Sequence, residues 1–419
     1  MASTILAIGL FVFAAYLFKS VFTHSGIPDV LLLMICGIVA GPVLGWASPA
    51  AFGKAGNALA TMGLVIILFE SGIDLDLATL RPSMVSTLKI TLSTFLATGL
   101  IVTAIGYSLA GLDLQGSLML AVILAGTSAA VVIPLVQSLK VEGSTRIILI
   151  LESAITDVLC IVGVFTLLEA SRTGGLTVGG VVLSVVSTLL VAALIGALCG
   201  FAWLGVLRTA RKLPNGNFAS AAACFIVYGA TELAGYSGAI AVLCFGLVLS
   251  NGRQFAQALR IVRPARLAAF SSAEQEFLHE LIFVLKTFFF VFLGISMQLN
   301  DVRIFLIGAL IVLLVYAARH LVVLYLSDRE LPRRYANLTA IMVPKGLAAA
   351  VLASLPREAG MAGGETIQGV VYVVVLLSIS LTAVMIPLQR VAPFNGLYKN
   401  IFSRFSESGV PGKNTSPHK

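Results

Sequence analysis

Charge is what this sequence has least of. Only 11% of its 419 residues are Asp, Glu, Lys or Arg, while 58% are hydrophobic; a soluble domain carries roughly 25% charged residues. So few charges cannot cover a water-facing surface, which excludes a soluble enzyme and a disordered chain alike. Histidine is also scarce. His24, His279, His320 and His418 are scattered, and only His320 lies well inside an apolar stretch, so the chain has no paired intramembrane histidines for a membrane enzyme. The five cysteines (Cys36, Cys160, Cys199, Cys224, Cys244) lack metal-ligand and CxxC spacing and read as small buried residues. Basic residues are dispersed among short connections, with no clustered patch for nucleic acid. No basic leader with a cleavage site precedes the first apolar segment, which is therefore expected to stay in place as a helix.

What is present is a succession of long apolar runs. A helix needs about 20 mostly apolar residues to cross the hydrocarbon core. Such runs lie near 3–22, 28–47, 56–73, 84–110, 115–138, 146–169, 174–207, 217–235, 238–250, 277–298, 302–326, 336–355 and 366–388. This predicts an all-α polytopic membrane protein of about thirteen transmembrane helices. Connections after odd-numbered spans hold most of the basic residues, among them Lys140, Arg146, Arg211, Arg263, Arg333 and Arg334. Those after even-numbered spans hold only Lys54, Arg172, Arg303 and Arg357. Positive charge stays on the cytoplasmic side, so the N-terminus is expected outside and the C-terminus in the cytoplasm. The expected organisation is a transmembrane domain over 1–392 and a disordered cytoplasmic tail over 393–419. Within the domain, repeat one covers about 3–169, a linker helix 174–207 and repeat two about 217–388. The connection 251–276, with Arg260, Arg263 and Arg266 beside apolar residues, reads either as a short amphipathic segment on the inner membrane surface or as a solvated basic face.

Ionisable residues inside spans cost at least ~2.5 kcal/mol each at mid-bilayer and are paired or hydrated. Lys89 is near a span end and is expected to snorkel, whereas Lys286 is deeper and open to either reading. Glu70, Glu169, Glu232 and Glu280 lie near span ends as hydrated carboxylates. That leaves Glu152, Asp157, Arg319 and Lys345. Glu152 and Asp157 stand about 140° apart around one helix, so they face different neighbours and do not form a dyad. Asp157, next to the hydroxyl of Thr156, suits a small cation or a proton. Glu152 requires a basic partner, and Arg319 is the best candidate. Spans five and twelve both break helical regularity, at Ala125-Gly126-Thr127-Ser128 with Pro134 and at Val343-Pro344-Lys345-Gly346. They hold equivalent positions in two six-helix repeats of opposite topology, the pattern that points to a midplane transport site. Lys345 there would offset the negative ends of helix dipoles.

With these motifs the sequence resembles the monovalent cation/proton antiporter superfamily, particularly its Na+/H+ exchanger branch. The matching segments are 68–75 (LFESGIDL), Glu152-Ser153-Ala154-Ile155-Thr156-Asp157, 288–294 (FFFVFLG), Ala317-Ala318-Arg319 and Pro344-Lys345-Gly346 followed by Leu347-Ala348-Ala349-Ala350. The resemblance implies a thirteen-helix inverted repeat with discontinuous, crossing helices five and twelve and an elevator-like core movement. Asp157 then carries cation and proton in competition, with Thr156, Ser128 and Thr127 around the ion. Glu152 and Arg319 form a buried structural pair, and Lys345 compensates helix dipoles. Thr156 stands where this branch has Asn and the electrogenic branch a second Asp, which implies electroneutral exchange. Span five has Thr127-Ser128-Ala129 where many exchangers have Thr-Asp-Pro, and Lys345 replaces the commoner Arg; Na+, Li+ and K+ all remain open. The implied partners are the monovalent cation, H+, the lipid bilayer and a second copy in a homodimer, in the plasma (inner) membrane and with no cofactor. Two other readings of the chain are a cation-coupled organic-anion symporter of the same fold, for which the sequence has no dedicated polar cluster, and an ion channel, for which it has no filter motif or charged ring.

Overall fold

The structure, a computed structural model, describes residues 2–25, 27–49, 84–141, 143–173, 178–212, 218–259, 272–297, 301–327, 331–389 and 400–405, with individual positions in 58–73 and 396–398. Among these residues the chain forms helices and no strand. In chain order they are α1 (Ala2–Ser25), α2 (Asp29–Ile38, continued by a π turn Val39–Val43), α3 (Met84–Ser108), α4 (Leu114–Ala125), α5 (Ala129–Ser138), α6 (Gly143–Thr173) and α7 (Val178–Ala210). Then come α8 (Ala219–Leu233), α9 (Gly238–Leu259), α10 (Ser272–Ile295), α11 (Val302–Leu326), α12 (Arg333–Ile341), α13 (Leu347–Leu352), α14 (Leu355–Glu358) and α15 (Gly364–Leu388). Six of them contain stretches long and apolar enough to cross a membrane: in α3, α6, α7, α10, α11 and α15. Shorter apolar stretches lie in α1, α2, α4, α8 and α9 and within 61–70. Backbone groups in hydrocarbon must be satisfied within the segment, which is why apolar runs settle as helices. Two helix starts are fixed by carboxylates that accept from a first-turn amide. Asp113 takes Gly116 N–H at 2.8 Å, and Asp301 takes Ile304 N–H at 3.1 Å.

The helices pack as three groups: α3 to α6 with α11 to α15, α1 and α2 with α10, and α7 to α9. They meet where α6 touches α7 and α9, α10 touches α13, and α15 touches α2. Several glycine crossings bring backbones together, among them Gly196 of α7 against Ala241 O of α9. A Cβ on Gly294 would lie 2.9 Å from Gly37 Cα and strike Met34 O, so α2 and α10 meet with no side chain between them. A Cβ on Gly246 of α9 would strike Phe69 O, and one on Gly72 would strike Leu243 O.

Two details differ from the sequence reading. Residues 251–259 continue α9 as helix instead of belonging to a connection. Asn251 is buried there and its amide donates to Leu247 O at 2.9 Å, giving a polar residue an intrahelical partner. The basic residues at 260, 263 and 266 lie outside the described residues. Within the stretch expected as a disordered tail, Tyr398, Phe402 and Phe405 are buried. Tyr398 and Phe402 stack and lie beside His320 of α11. Arg333 donates to Phe402 O at 3.2 Å, and Arg404 to Ser327 O at 3.2 Å. Aromatic residues three and four apart (398, 402, 405) give this segment an apolar face, which its overall polar composition conceals.

Candidate functional site

The two interrupted spans meet at their interruptions. α4 stops at Ala125 and α5 starts at Ala129; α12 stops at Ile341 and α13 starts at Leu347. Ser128 N–H donates to Pro344 O at 2.9 Å across the crossing. Gly346 is pressed against the Ser128 side chain so closely that no Cβ could fit. Lys345 is only 2% exposed, and its ammonium donates to Gly126 O at 2.9 Å. It sits at the carbonyl end of α4, where a cation offsets the negative pole of the helix.

α6 runs beside this crossing. The Thr156 hydroxyl donates to Ser153 O at 3.1 Å and accepts Thr127 N–H at 3.1 Å. It is also 3.3 Å from the Thr127 hydroxyl. A hydroxyl has one proton and two lone pairs; because Thr156 gives its proton to Ser153, Thr127 is the donor between the two hydroxyls. Thr156 Oγ1 is then fully engaged, while the oxygen of Thr127 keeps both its lone pairs. One turn past Asp157, Cys160 lies against Gly126, whose Cβ would come within 2.7 Å of the sulfur. Asp157 is therefore in the turn of α6 that abuts the break between α4 and α5. It is only 6% exposed, and among the described residues its carboxylate has neither an ion pair nor a side-chain hydrogen bond.

Glu152 lies on a different face of α6 and is fully engaged. The Arg319 guanidinium grips it with two parallel bonds, Nη2 to Oε2 at 2.6 Å and Nη1 to Oε1. Arg319 also donates to Thr94 Oγ1 at 2.7 Å and Thr339 O at 3.1 Å. One buried guanidinium thus ties α3, α6, α11 and α12 together.

The structure also accounts for charges that the sequence left open. Lys286 of α10 pairs with Asp29 at the start of α2, Nζ to Oδ2 at 2.9 Å. Lys89 is exposed on α3. Glu70 lies 3.1 Å from His279 Nδ1. Glu232 accepts Gly238 N–H at 2.8 Å at the start of α9. His320 turns away from Arg319's partners; its Nδ1–H donates to Tyr316 O at 2.7 Å, and Nε2 faces the Tyr398 hydroxyl at 3.4 Å. Thr94, Thr339 and Asp29 were not singled out from sequence. Thr is common in apolar helices, and Asp29 stands at a span end, where a carboxylate is unremarked.

An all-helical chain with intramembrane charges, a buried carboxylate and two broken helices crossing beside it is a membrane transport protein of the broken-helix class. The chain belongs to the sodium/hydrogen exchanger, transmembrane family, whose profile matches residues 9–388. Over 365 residues, 84% of this chain and 87% of the relative, it is 24% identical to the Na(+)/H(+)-K(+) antiporter GerN of Bacillus cereus. Over 154 residues it is 32% identical to the probable Na(+)/H(+) antiporter 3 of Methanocaldococcus jannaschii, a match spanning 37% of this chain and 38% of that relative. Its fold is similar to that of the sodium proton antiporter MjNhaP1 from Methanocaldococcus jannaschii at pH 8, with TM-score 0.71, 21% identity, 91% of this chain and 99% of that one covered.

Proposed function

We propose that this protein is a monovalent cation/proton antiporter in which Asp157 holds either a cation or a proton. The observation that carries this reading is the isolation of Asp157: a buried carboxylate without a cationic partner among the described residues, at a helix break, on the same helix as Glu152, whose charge is already answered. In the proposed cycle, Asp157 releases its proton to bind a cation with oxygen atoms of Thr127 and Ser128, then takes up a proton after the cation leaves on the other side. Thr156, a candidate ligand by sequence, acts here by holding Thr127 in place. Glu152 and Arg319 keep the helices around the site in register, and Lys345 neutralises the α4 carbonyl end. One titrating carboxylate per site supports electroneutral, one-for-one exchange. The names of the relatives include both Na+ and K+, so both are proposed substrates.

Thirteen spans in two inverted repeats are proposed as the architecture, with the N-terminus outside and the C-terminus in the cytoplasm. The glycine crossings support it. Exchanging the repeats turns the contact of span two with span ten (Gly37, Gly294) into that of span nine with span three (Gly246, Gly72). The packing of α3 to α6 and α11 to α15 as one large group supports elevator-type movement of the group that holds Asp157, in an inner-membrane homodimer. The test is dissipation of a pH gradient in proteoliposomes on adding Na+, Li+, K+ or choline, with the membrane potential clamped in a parallel series. Cation-dependent proton movement that is lost in Asp157→Asn and indifferent to the clamp is expected. Full activity in Asp157→Asn would reject the site; sensitivity to the clamp would reject the stoichiometry.

A further inference from the structure

We infer that Ser378, on α15, is a positioning residue for the ion site: it anchors the unwound segment 342–346 and thereby sets the reach of Lys345. The inference rests on the reading of the crossing as the ion site. In an unbroken helix the Lys345 N–H would bond to Ile341 O, four residues back. Here the break at Met342–Gly346 turns it away, and Val343 N–H takes Ile341 O instead, at 2.8 Å. A buried amide needs a partner. The Lys345 amide finds the side chain of Ser378, Oγ at 3.0 Å.

Ser378 is suited to receive it. Its side chain is buried, and its own proton goes back to Val375 O at 3.1 Å, which orients an oxygen lone pair outward. The Ser378 carbonyl is held in turn, accepting from Tyr316 of α11 at 2.9 Å and from the Thr382 hydroxyl at 2.9 Å. The anchor is therefore itself braced by two helices. One residue of unwound chain thus has both its ends fixed: the amide of Lys345 on α15, and its ammonium on Gly126 O of α4. Removing the first contact frees the peptide that carries the charge. The ammonium then no longer rests steadily on the carbonyl end of α4, at the same break that Thr127 and Ser128 line. None of this touches the cation directly, so the effect falls on cation affinity before it falls on turnover.

The test is the cation dependence of pH-gradient dissipation in proteoliposomes for wild type, Ser378→Ala, Ser378→Thr and Ser378→Cys, with Asp157→Asn alongside. Ser378→Ala is expected to raise the apparent KM for the cation by roughly 3- to 10-fold with maximal rate within about twofold. Ser378→Thr keeps the hydroxyl and is expected to restore the wild-type KM. Ser378→Cys, nearly isosteric with a much weaker acceptor, covers the case in which the alanine variant does not fold, and is expected to show a raised KM. An unchanged KM in every folded variant lacking the hydroxyl would overturn the inference, as would a threonine variant as impaired as the alanine one. An inactive Asp157→Asn with an unaffected Ser378→Ala rejects Ser378 alone, whereas an active Asp157→Asn rejects the ion site beneath it.

Discussion

The carboxylates of Glu152 and Asp157 lie on one helix, five residues apart, yet meet opposite circumstances. Glu152 is locked to a guanidinium that also reaches Thr94 and Thr339. Removing either member leaves a buried charge unanswered, so Arg319→Ala and Glu152→Ala are each expected to cost about 3–5 kcal/mol of stability; thermal unfolding in detergent measures this. Arg319→Lys keeps the charge but loses the two-pronged grip and should fall between. Among the described residues Asp157 has no such partner, and its expected signature is competition. If proton and cation share one carboxylate, the apparent KM for the cation should rise about tenfold per pH unit on the acid side, because only the ionised fraction binds. A KM independent of pH across that range would contradict a shared site. The placement of Glu152 against Arg319 was legible in the sequence, since two isolated intramembrane charges of opposite sign need each other. The engagement of Thr156 with Thr127 was not legible: a threonine beside an aspartate offers the same oxygen whether it holds a cation or another hydroxyl.

At the level of the helices, the breaks matter more than the spans. Span five could be read as irregular from Gly126 and from Pro134, yet the chain runs helically through Pro134 and opens only at Gly126–Ser128. A proline leaves one carbonyl unbonded, and α5 absorbs that loss; the opening occurs where the Ser128 and Lys345 donors meet acceptors on the opposite segment. Such cross-segment bonds have no sequence signature, so the position of a break is harder to read than its presence. Gly346 is the tightest point of the crossing. Gly346→Ala puts a methyl into Ser128 and is expected to abolish exchange while leaving Glu152 and Arg319 paired. Retained transport in a well-folded Gly346→Ala would show that the two breaks can separate without harm. Gly294→Val, in contrast, is expected to push α10 away from α2 and to lower stability by about 1–3 kcal/mol through overpacking.

For the whole molecule, the apolar runs made the all-helical membrane fold legible, because hydrocarbon leaves the backbone few options. The segment around Tyr398, Phe402 and Phe405 was hidden, as a short aromatic face within polar residues falls below the length that hydropathy detects. Its burial predicts a cost. Phe402→Ala is expected to destabilise the protein by about 3 kcal/mol, checked by thermal unfolding, with little change in cation selectivity.

That docked segment has a practical consequence. Phe402 and Phe405 rest on α11 and the start of α12, through Arg333 and the His320 face, in the same group of helices as Asp157. A fluorophore at the exposed Ser403 of that segment therefore marks the group proposed to move, and one at the exposed Lys212, just past α7, marks another group. The distance between the two, followed while cation and pH are varied, is a ruler for the proposed stroke, read without disturbing a residue at the crossing.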